Sequence, residues 1–187
     1  VVKHVEEYIN NNINNVELDD VMYSKEFSDF GDVTYTEKTR AVIKIQDGCD
    51  RFCSYCIIPY ARGRVRSRKP ESIISEITQI ASKGIKEVVI TGIHIASYGK
   101  DFAMSKDSKL ANYRLIDLLE EINEIQGIQR IRLGSIEPLL ITEEFVERLK
   151  KLEKICHHFH LSLQSGCDET LKRMNRRYTT EQFKEIV

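Results

Sequence analysis

The sequence predicts an α/β fold in which parallel strands alternate with helices in a sheet that is closed or partly open. From residue 40 onward, short apolar runs typical of buried strands alternate with segments whose apolar residues recur at helical spacing. Glycine or proline stands at most junctions, and polar residues follow each apolar run. Because consecutive strand–helix–strand units are right-handed, the strands pair in parallel and their carboxyl ends meet at one edge.

The individual elements follow from the same pattern. Four apolar runs mark the expected strands, at 41–46, 87–92, 128–133 and 159–163. Helices are expected from Pro70 to about Gly84, from Leu115 to about Gly127, after the capping residue Thr142, and in two stretches beyond Gly166. Residues 2–13 also have helical spacing, residues 15–37 predict a linker, and the polar residues 99–111 predict a mobile loop.

The distribution of charge divides the chain near residue 38, although the formal net charge is only −1. Residues 1–37 contain nine acidic and two basic side chains, whereas residues 38–69 contain nine basic and two acidic ones. Such a reversal predicts a boundary between two functional regions. We therefore expect residues 1–37 to be the tail of one domain with its linker and residues 38–187 to be a separate core.

The composition argues for a soluble protein of a reducing compartment. The sequence has no apolar run near the roughly eighteen residues that a membrane span needs, and no signal-peptide pattern, which predicts a cytoplasmic protein without a membrane partner. Three of the five cysteines are crowded together, which fits metal-binding thiolates better than disulfides. The chain begins at Val1 without a methionine and stops inside a helical pattern, so we expect a fragment.

The crowded cysteines form the motif Cys49-x₃-Cys53-x₂-Cys56 directly after the first predicted strand. Three thiolates are one fewer than a closed tetrahedral site requires, which favours an iron–sulfur cluster with one iron left open for a ligand. A zinc site completed by a histidine such as His94 is one alternative, and three buried structural cysteines are another. Cys156 is expected to be a structural thiol, and Cys167, near the site, has no assigned role.

Polar residues after all four predicted strands are expected to converge at one edge of the sheet. Besides Cys49, these are Gly92, His94, Ser135, Glu137 and Gln164. Glu137 also has an interpretation as a carboxylate paired with an arginine, and Gly92 as a plain turn glycine. Three histidines at the start of the fourth predicted strand are expected to be core or surface residues: His157, His158 and His160.

A run of alternating basic residues follows the cysteines, with the sequence Arg62-Gly63-Arg64-Val65-Arg66-Ser67-Arg68-Lys69. In an extended segment this alternation places all four arginines on one face, which suits contact with an RNA phosphate backbone. The RNA-binding candidates are Arg62, Arg64, Arg66 and Arg68. The alternative is a solvated edge strand or loop whose charges pair with the acidic residues 1–37.

The residues around the cysteines resemble a known family. The three-cysteine loop with an aromatic residue at Tyr55 is similar to the signature loop of radical S-adenosylmethionine (SAM) enzymes. The stretches 44–49, 56–64, 91–94 and 163–166 (KIQDGC, CIIPYARGR, TGIH and LQSG) resemble the methylthiotransferases among them. Within that family, Gln46-Asp47, residues 60–64, TGIH and the stretch GSIEP at 134–138 most resemble the members that act on N6-threonylcarbamoyladenosine in tRNA. The resemblance covers residues 40–187, and residues 1–37 resemble the tail of the family's amino-terminal domain.

The resemblance implies a partial (β/α) barrel, truncated at its carboxyl end, and a transferase that inserts a methylthio group at C2 of N6-threonylcarbamoyladenosine in tRNA. It implies a [4Fe-4S] cluster on Cys49, Cys53 and Cys56. SAM would bind its open iron and be cleaved to a 5′-deoxyadenosyl radical, while the protein supplies placement and shielding. The residues implied in SAM binding are Tyr55, Gly92, Ser135, Glu137, Gln164 and Arg177.

The same resemblance implies further components and leaves alternatives. A second, auxiliary [4Fe-4S] cluster is held in the family by three cysteines of the amino-terminal domain, which are absent here, so we expect it only in the full-length protein. The implied partners are tRNA, SAM, a reductant and a sulfur donor. Isopentenyladenosine in tRNA and an aspartate of a ribosomal protein are alternative substrates. A zinc-dependent RNA-binding module without catalysis is the alternative of another class.

Overall fold

The computed structural model describes residues 5–6, 9–10, 20–24, 26–28, 39–104 and 108–187. Residues 5–6 and 9–10 are helical, but the rest of the helix expected at 2–13 and most of the linker expected at 15–37 lie outside the described residues. The strands are β1 (Arg40–Asp47), β2 (Arg66–Ser67), β3 (Glu87–Gly92) and β4 (Arg130–Leu133). The helices are α1 (Ile58–Arg62), α2 (Pro70–Ser82), α3 (Leu115–Glu124), α4 (Glu143–Leu149), α5 (Asp168–Arg173) and α6 (Thr180–Ile186). Short 3₁₀ turns occupy Ile95–Ser97, Asp101–Met104 and Pro138–Leu140.

The strands form one sheet in the order β2-β1-β3-β4. β1 and β3 are parallel, with Ala41 opposite Val88, and β3 and β4 are parallel, with Val88 opposite Ile131. These pairings confirm the parallel α/β fold that the sequence predicts. The two-residue strand β2 runs antiparallel to the end of β1 and is an addition that the apolar pattern does not predict.

Alternating burial along the strands places the core on one face of the sheet. On β1, Ala41, Ile43 and Ile45 are fully buried, whereas Val42 between them is half exposed. The same face of β3 and β4 contributes further buried aliphatic side chains to one cluster with the apolar stripes of α2 and α3. The period of two in the strands and of about 3.6 in the helices is therefore satisfied by a single interface.

The helix starts agree with the sequence signals. Pro70 occupies the first turn of α2, where its missing N–H costs no hydrogen bond. The hydroxyl of Thr142 accepts a hydrogen bond from the backbone N–H of Phe145 at 3.2 Å and so caps α4. Gly84 and Gly127, the expected ends of α2 and α3, both have positive φ.

The continuous fourth strand expected at 159–163 is wrong. The chain there makes only isolated parallel bridges, Ile136 with Leu161 and Ile131 with Ile155. The backbone N–H of Ile136 donates to His160 at 2.9 Å, and Ser162 returns a bond to Ile136 at 3.0 Å. Within the described residues no strand lies on the far side, so a full ladder would leave half of its backbone groups without partners.

Buried polar contacts attach β2 to α2 and to the loop after β3. Arg68 forms an ion pair with Glu76 in which both side chains are less than a tenth exposed. The hydroxyl of Tyr98, itself 1% exposed, donates to the backbone oxygen of Arg68 at 2.9 Å. Ser67 donates through its backbone N–H and its hydroxyl to the carboxylate of Asp101, at 2.9 and 2.6 Å.

These contacts qualify the loop expected at 99–111. Its first part forms the turn Asp101–Met104, with Phe102 buried against Tyr98 at a ring-centroid distance of 5.7 Å. Residues 105–107 lie outside the described residues. No helix in the described parts of the chain is long and apolar enough to cross a bilayer.

Replacing Glu76 by alanine tests the buried ion pair. The change removes the Glu76 carboxylate from a buried ion pair with the Arg68 guanidinium, so we expect the free energy of unfolding to fall by about 3–5 kcal/mol. Urea denaturation followed by circular dichroism measures the change. Gln79→Ala, at an exposed position of the same helix, is the matched control and is expected to change stability by no more than about 0.5 kcal/mol. Equal effects of the two substitutions would show that the pair has no special role.

Candidate functional site

The cysteine loop begins at a turn that only glycine permits. Gly48, which ends the run after β1, has φ +70, and a Cβ atom there would lie 1.8 Å from the backbone oxygen of Arg64. The next residue, Cys49, donates its backbone N–H to the oxygen of Gly63 at 3.0 Å. The start of the loop is thus fixed against the segment that leaves α1.

All three cysteines of the motif are free thiols on this loop. Cys49 is 8% exposed, and Cys53 and Cys56 are half-buried. Burial raises the pKa of the Cys49 thiol, and the neighbouring Cys53 and Cys56 raise it further, while the backbone N–H of Arg51 partly offsets both. A metal centre bound here would therefore have to displace the proton from Cys49.

The donor set fits a cluster better than a single zinc ion. Within the described residues, no three His, Cys, Asp or Glu side chains are grouped so that they could hold one metal ion. A tetrahedral zinc with Zn–S bonds of about 2.3 Å needs sulfur atoms about 3.8 Å apart. Three thiols on one loop are one ligand fewer than a closed tetrahedral zinc site needs, and they match an iron–sulfur cluster with an open position.

The middle of the loop is held by a distant part of the chain. Asn175 donates its side-chain amide to the backbone oxygen of Phe52 at 2.9 Å, and Ser54 donates its backbone N–H to Met174 at 3.2 Å. Phe52 and Asn175 both have positive φ, at 48° and 58°. A bulky residue in this region is strained, so the contact with Asn175 holds a conformation that the loop would not adopt alone.

Tyr55 contacts two residues that follow the segment 159–163. Its hydroxyl donates to Gln164 Oε1 at 3.2 Å and accepts a hydrogen bond from Arg176, whose guanidinium lies 5.8 Å from the centre of the tyrosine ring. Two predicted residues, Tyr55 and Gln164, are therefore brought together. The adjacent arginine is Arg176, whereas the predicted Arg177 is exposed and acts electrostatically on Lys100.

Glu137 is a buried carboxylate, 5% exposed, at the end of the β4 segment. It accepts a hydrogen bond from Arg51 of the cysteine loop, and His94 Nε2 lies 3.2 Å from the same oxygen, although not in the direction of a hydrogen bond. Burial alone would raise the pKa of Glu137, but His94 and Arg51 together bring it below its ordinary value. The arginine-paired interpretation of Glu137 is thus present in the structure.

Gln46 is a site residue to which the sequence assigns no role. It is completely buried, and its amide donates to the backbone oxygens of Asp47 and Gly48 at 2.6 and 2.7 Å. Its carbonyl oxygen accepts the backbone N–H of His94 at 2.7 Å. A Cβ atom on Gly92 would lie 2.9 Å from the Gln46 backbone oxygen, so the close approach that requires glycine there is to Gln46. A glutamine at the end of an apolar strand was the available signal.

Of the remaining residues considered in the sequence, Ser135 and Cys167 are exposed, whereas His94 and Cys156 are half-buried. Ser135 is exposed, and its hydroxyl lies 2.8 Å from His160 Nδ1. His94 Nδ1 lies 2.7 Å from the hydroxyl of Ser97, which fixes its ring. Cys156 is half-buried beside the Ile131 bridge, and Cys167 is exposed at the start of α5. Hydrogen bonds from Thr170 lower the pKa of the Cys167 thiol.

The prediction that four arginines share one exposed face is wrong. Arg66 and Arg68 are each 7% exposed, because their segment forms β2 and packs against α2 and the loop after β3. Their burial removes them from an RNA-binding surface. Arg62 and Arg64 are exposed, but they lie close to Asp47 and Asp50, at 3.7 and 3.3 Å. The acidic partners therefore include residues of the cysteine loop itself.

The chain is similar to known proteins in sequence. The sequence profile of the Radical SAM superfamily matches residues 43–187. The threonylcarbamoyladenosine tRNA methylthiotransferase MtaB of Bacillus subtilis is 41% identical over 167 residues, which cover 89% of this chain and 35% of that protein. A tRNA-2-methylthio-N(6)-dimethylallyladenosine synthase of Thermoanaerobacter sp. is 44% identical over 148 residues, covering 79% of this chain and 30% of that protein. The chain thus spans about a third of the length of these relatives.

A solved structure resembles the fold. The radical S-adenosylmethionine methyltransferase TsrM from Kitasatospora setae, determined with cobalamin and a [4Fe-4S] cluster, superposes with a TM-score of 0.56 at 24% identity. The match covers 78% of this chain and 27% of TsrM, and at this identity it supports the fold alone. Since the family profile covers far more than half of the chain and includes all three cysteines of the loop, the chain belongs to the radical SAM superfamily.

Proposed function

We propose that this chain is the radical SAM core of a tRNA methylthiotransferase that acts on N6-threonylcarbamoyladenosine. The observation that carries the proposal is the cysteine loop itself, whose three free thiols lie at the edge of the sheet where the polar residues after β3 and β4 also end. The similarity to MtaB, whose name states this substrate, supports the choice of nucleoside. The whole enzyme would act in the cytoplasm with a reductant and a sulfur donor as further partners.

The proposed cofactors are one [4Fe-4S] cluster on Cys49, Cys53 and Cys56, and SAM. When bound, they supply one-electron chemistry able to attack an unreactive C–H bond. Two arginines lie within electrostatic range of the thiols, Arg51 of Cys49 and Arg176 of Cys53. An auxiliary cluster is assigned only to the full-length protein, since the five cysteines of this chain include no second group of three close in sequence.

The candidates for SAM binding divide into two groups. Tyr55, Ser135 and Gln164 are exposed polar side chains at the edge and are proposed to contact SAM directly, together with Arg177. Glu137 and Gly92 are engaged by Arg51 and Gln46, so their proposed role is to position the loop and the strand ends beneath the cofactor.

Serine substitutions of the three cysteines test the cluster. After anaerobic reconstitution, the wild-type chain is expected to be brown with about four irons. Cys49→Ser, Cys53→Ser and Cys56→Ser should each lose most of that iron, because each removes one of three thiolate ligands. Cys167→Ser is the matched control and should retain it. Iron analysis and the visible absorption spectrum provide the measurement.

Two outcomes of that experiment would contradict the assignment. A colourless wild-type protein that binds one zinc would support the zinc-dependent alternative. Iron content in Cys53→Ser equal to that of the wild type and of Cys167→Ser would show that iron is bound without the loop.

Analysis of tRNA tests the substrate. In a strain that lacks the whole gene, mass spectrometry of tRNA nucleosides should show threonylcarbamoyladenosine without its methylthio group. The gene should restore the mark, whereas a Cys53→Ser copy should not, because the radical chemistry requires the cluster. Loss of the mark from isopentenyladenosine instead would assign the chain to the other tRNA substrate, and unchanged tRNA would leave the ribosomal-protein aspartate.

We also propose that Arg62 and Arg64, the exposed members of the basic run, contact the RNA backbone. The double variant Arg62→Ala/Arg64→Ala should reduce the log–log slope of tRNA affinity against salt by roughly 0.7–0.9 per lost phosphate contact. Fluorescence anisotropy at several salt concentrations measures the slope. Arg40→Ala, an exposed arginine at the opposite end of β1, serves as control. An unchanged slope in the double variant would remove the proposed role.

A further inference from the structure

A cleft of about 340 Å³ adjoins the cysteine loop through Arg51 and Glu137, and the rest of its lining has no role in the site described so far. It lies between Arg51 of that loop, the loop after β3, and the first turns of α3 and α4. Leu139 and Leu140 form part of an apolar wall, and Asn112, Lys100 and Arg114 contribute polar groups. An apolar wall with a few converging polar groups is the usual composition of a small-molecule site.

The charges in the cleft are unevenly compensated. Arg51 is paired with Glu137, and Arg148 is paired with Asp117 and Glu120. Among the described residues, the Arg114 guanidinium donates to the backbone oxygens of Gly99, Ala111 and Tyr113, at 2.8–3.1 Å, and forms no ion pair with a carboxylate.

Lys100 is the second cation without a carboxylate. Among the described residues its ammonium group makes no hydrogen bond or ion pair, and one exposed acid, Glu144, lines the same cleft. Lys100 is an exposed residue, and partial desolvation at the cleft lowers its pKa; nearby arginines lower it further, with Glu137 as a partial offset. An ammonium group held among other cations is stabilised by a bound anion.

The two candidate tRNA substrates differ in whether the substituent on the base carries a negative charge. In N6-threonylcarbamoyladenosine, threonine is joined to the base through its amino group, so its carboxylate is free. An isopentenyl substituent is apolar and carries no charge. A site built to bind a charged group discriminates strongly against an analogue that lacks it, because its own polar groups are then left without a partner.

We propose that Lys100, with Arg114 beside it, binds the threonyl carboxylate of the substrate nucleoside and so selects it over an isopentenyl-bearing adenosine. The inference rests on the proposed function and adds the residues that determine its substrate. The cleft adjoins the cysteine loop through Arg51 and Glu137, so a base held by its substituent in the cleft lies beside the proposed cofactor site. A phosphate of the RNA backbone is the other anion that this charge could attract.

Binding to three matched RNA stem-loops tests the inference. They carry threonylcarbamoyladenosine, isopentenyladenosine or unmodified adenosine at one position, and fluorescence anisotropy gives the Kd of each for the chain. The wild type should bind the first RNA about tenfold more tightly than the other two, as expected for one charge-assisted contact. Lys100→Met should abolish this preference without changing the Kd for unmodified RNA, and Lys100→Arg should keep it.

The control is Lys83→Met, an exposed lysine next to the end of α2 and outside the cleft. It should leave all three Kd values unchanged, and thermal melting should show every variant folded. Equal weakening of all three RNAs by Lys100→Met would identify a backbone phosphate contact and overturn the inference. Absence of a preference, or of any binding, in the wild type would also overturn it. The tRNA mass spectrum decides the proposed function separately, so the two failures are distinguishable.

Discussion

A closed circuit of buried polar contacts holds the strand ends and the cysteine loop in one arrangement. It starts at the Gln46 amide, which ties the end of β1 to the backbone of His94 after β3. The His94 ring reaches Glu137 after β4, and Glu137 binds Arg51, which returns the circuit to the loop. Burying any of these polar groups without its partner would cost free energy. Each group therefore fixes the position of the group next to it. The arrangement of the site therefore depends on the ends of β1, β3 and β4 together.

This circuit shows how far the sequence could be used for prediction. Periodicity located β1, β3, β4 and the helices that cover them, because burial on one face follows directly from alternation. It could not show that Arg66 and Arg68 are buried, because their environment depends on Glu76 and Asp101, on elements further along the chain. The sequence pattern also did not indicate that Arg176, which directly follows a residue with positive φ, Asn175, contacts Tyr55. A residue with positive φ, such as Asn175, does not alter the hydrophobic pattern of the sequence.

The two basic regions of the molecule differ in kind. Arg62 and Arg64 belong to a basic run of the sequence, but each lies close to an aspartate in the structure. Asp47 and Asp50 therefore offset part of their positive charge. Lys100 and Arg114 are isolated in the sequence, yet the fold brings them to one cleft in which, among the described residues, neither forms an ion pair with a carboxylate. The charges along the sequence therefore favour Arg62 and Arg64 as anion-binding residues. The ion pairs among the described residues favour Lys100 and Arg114 instead.

The contact between Asn175 and Phe52 has a consequence for how the protein is made. The two residues are 123 positions apart, so the cysteine loop leaves the ribosome long before its anchor. At the usual speed of translation that interval is roughly 6–25 s. Throughout it this contact cannot hold the middle of the loop. The loop therefore reaches its final arrangement only after residue 175 has been synthesised.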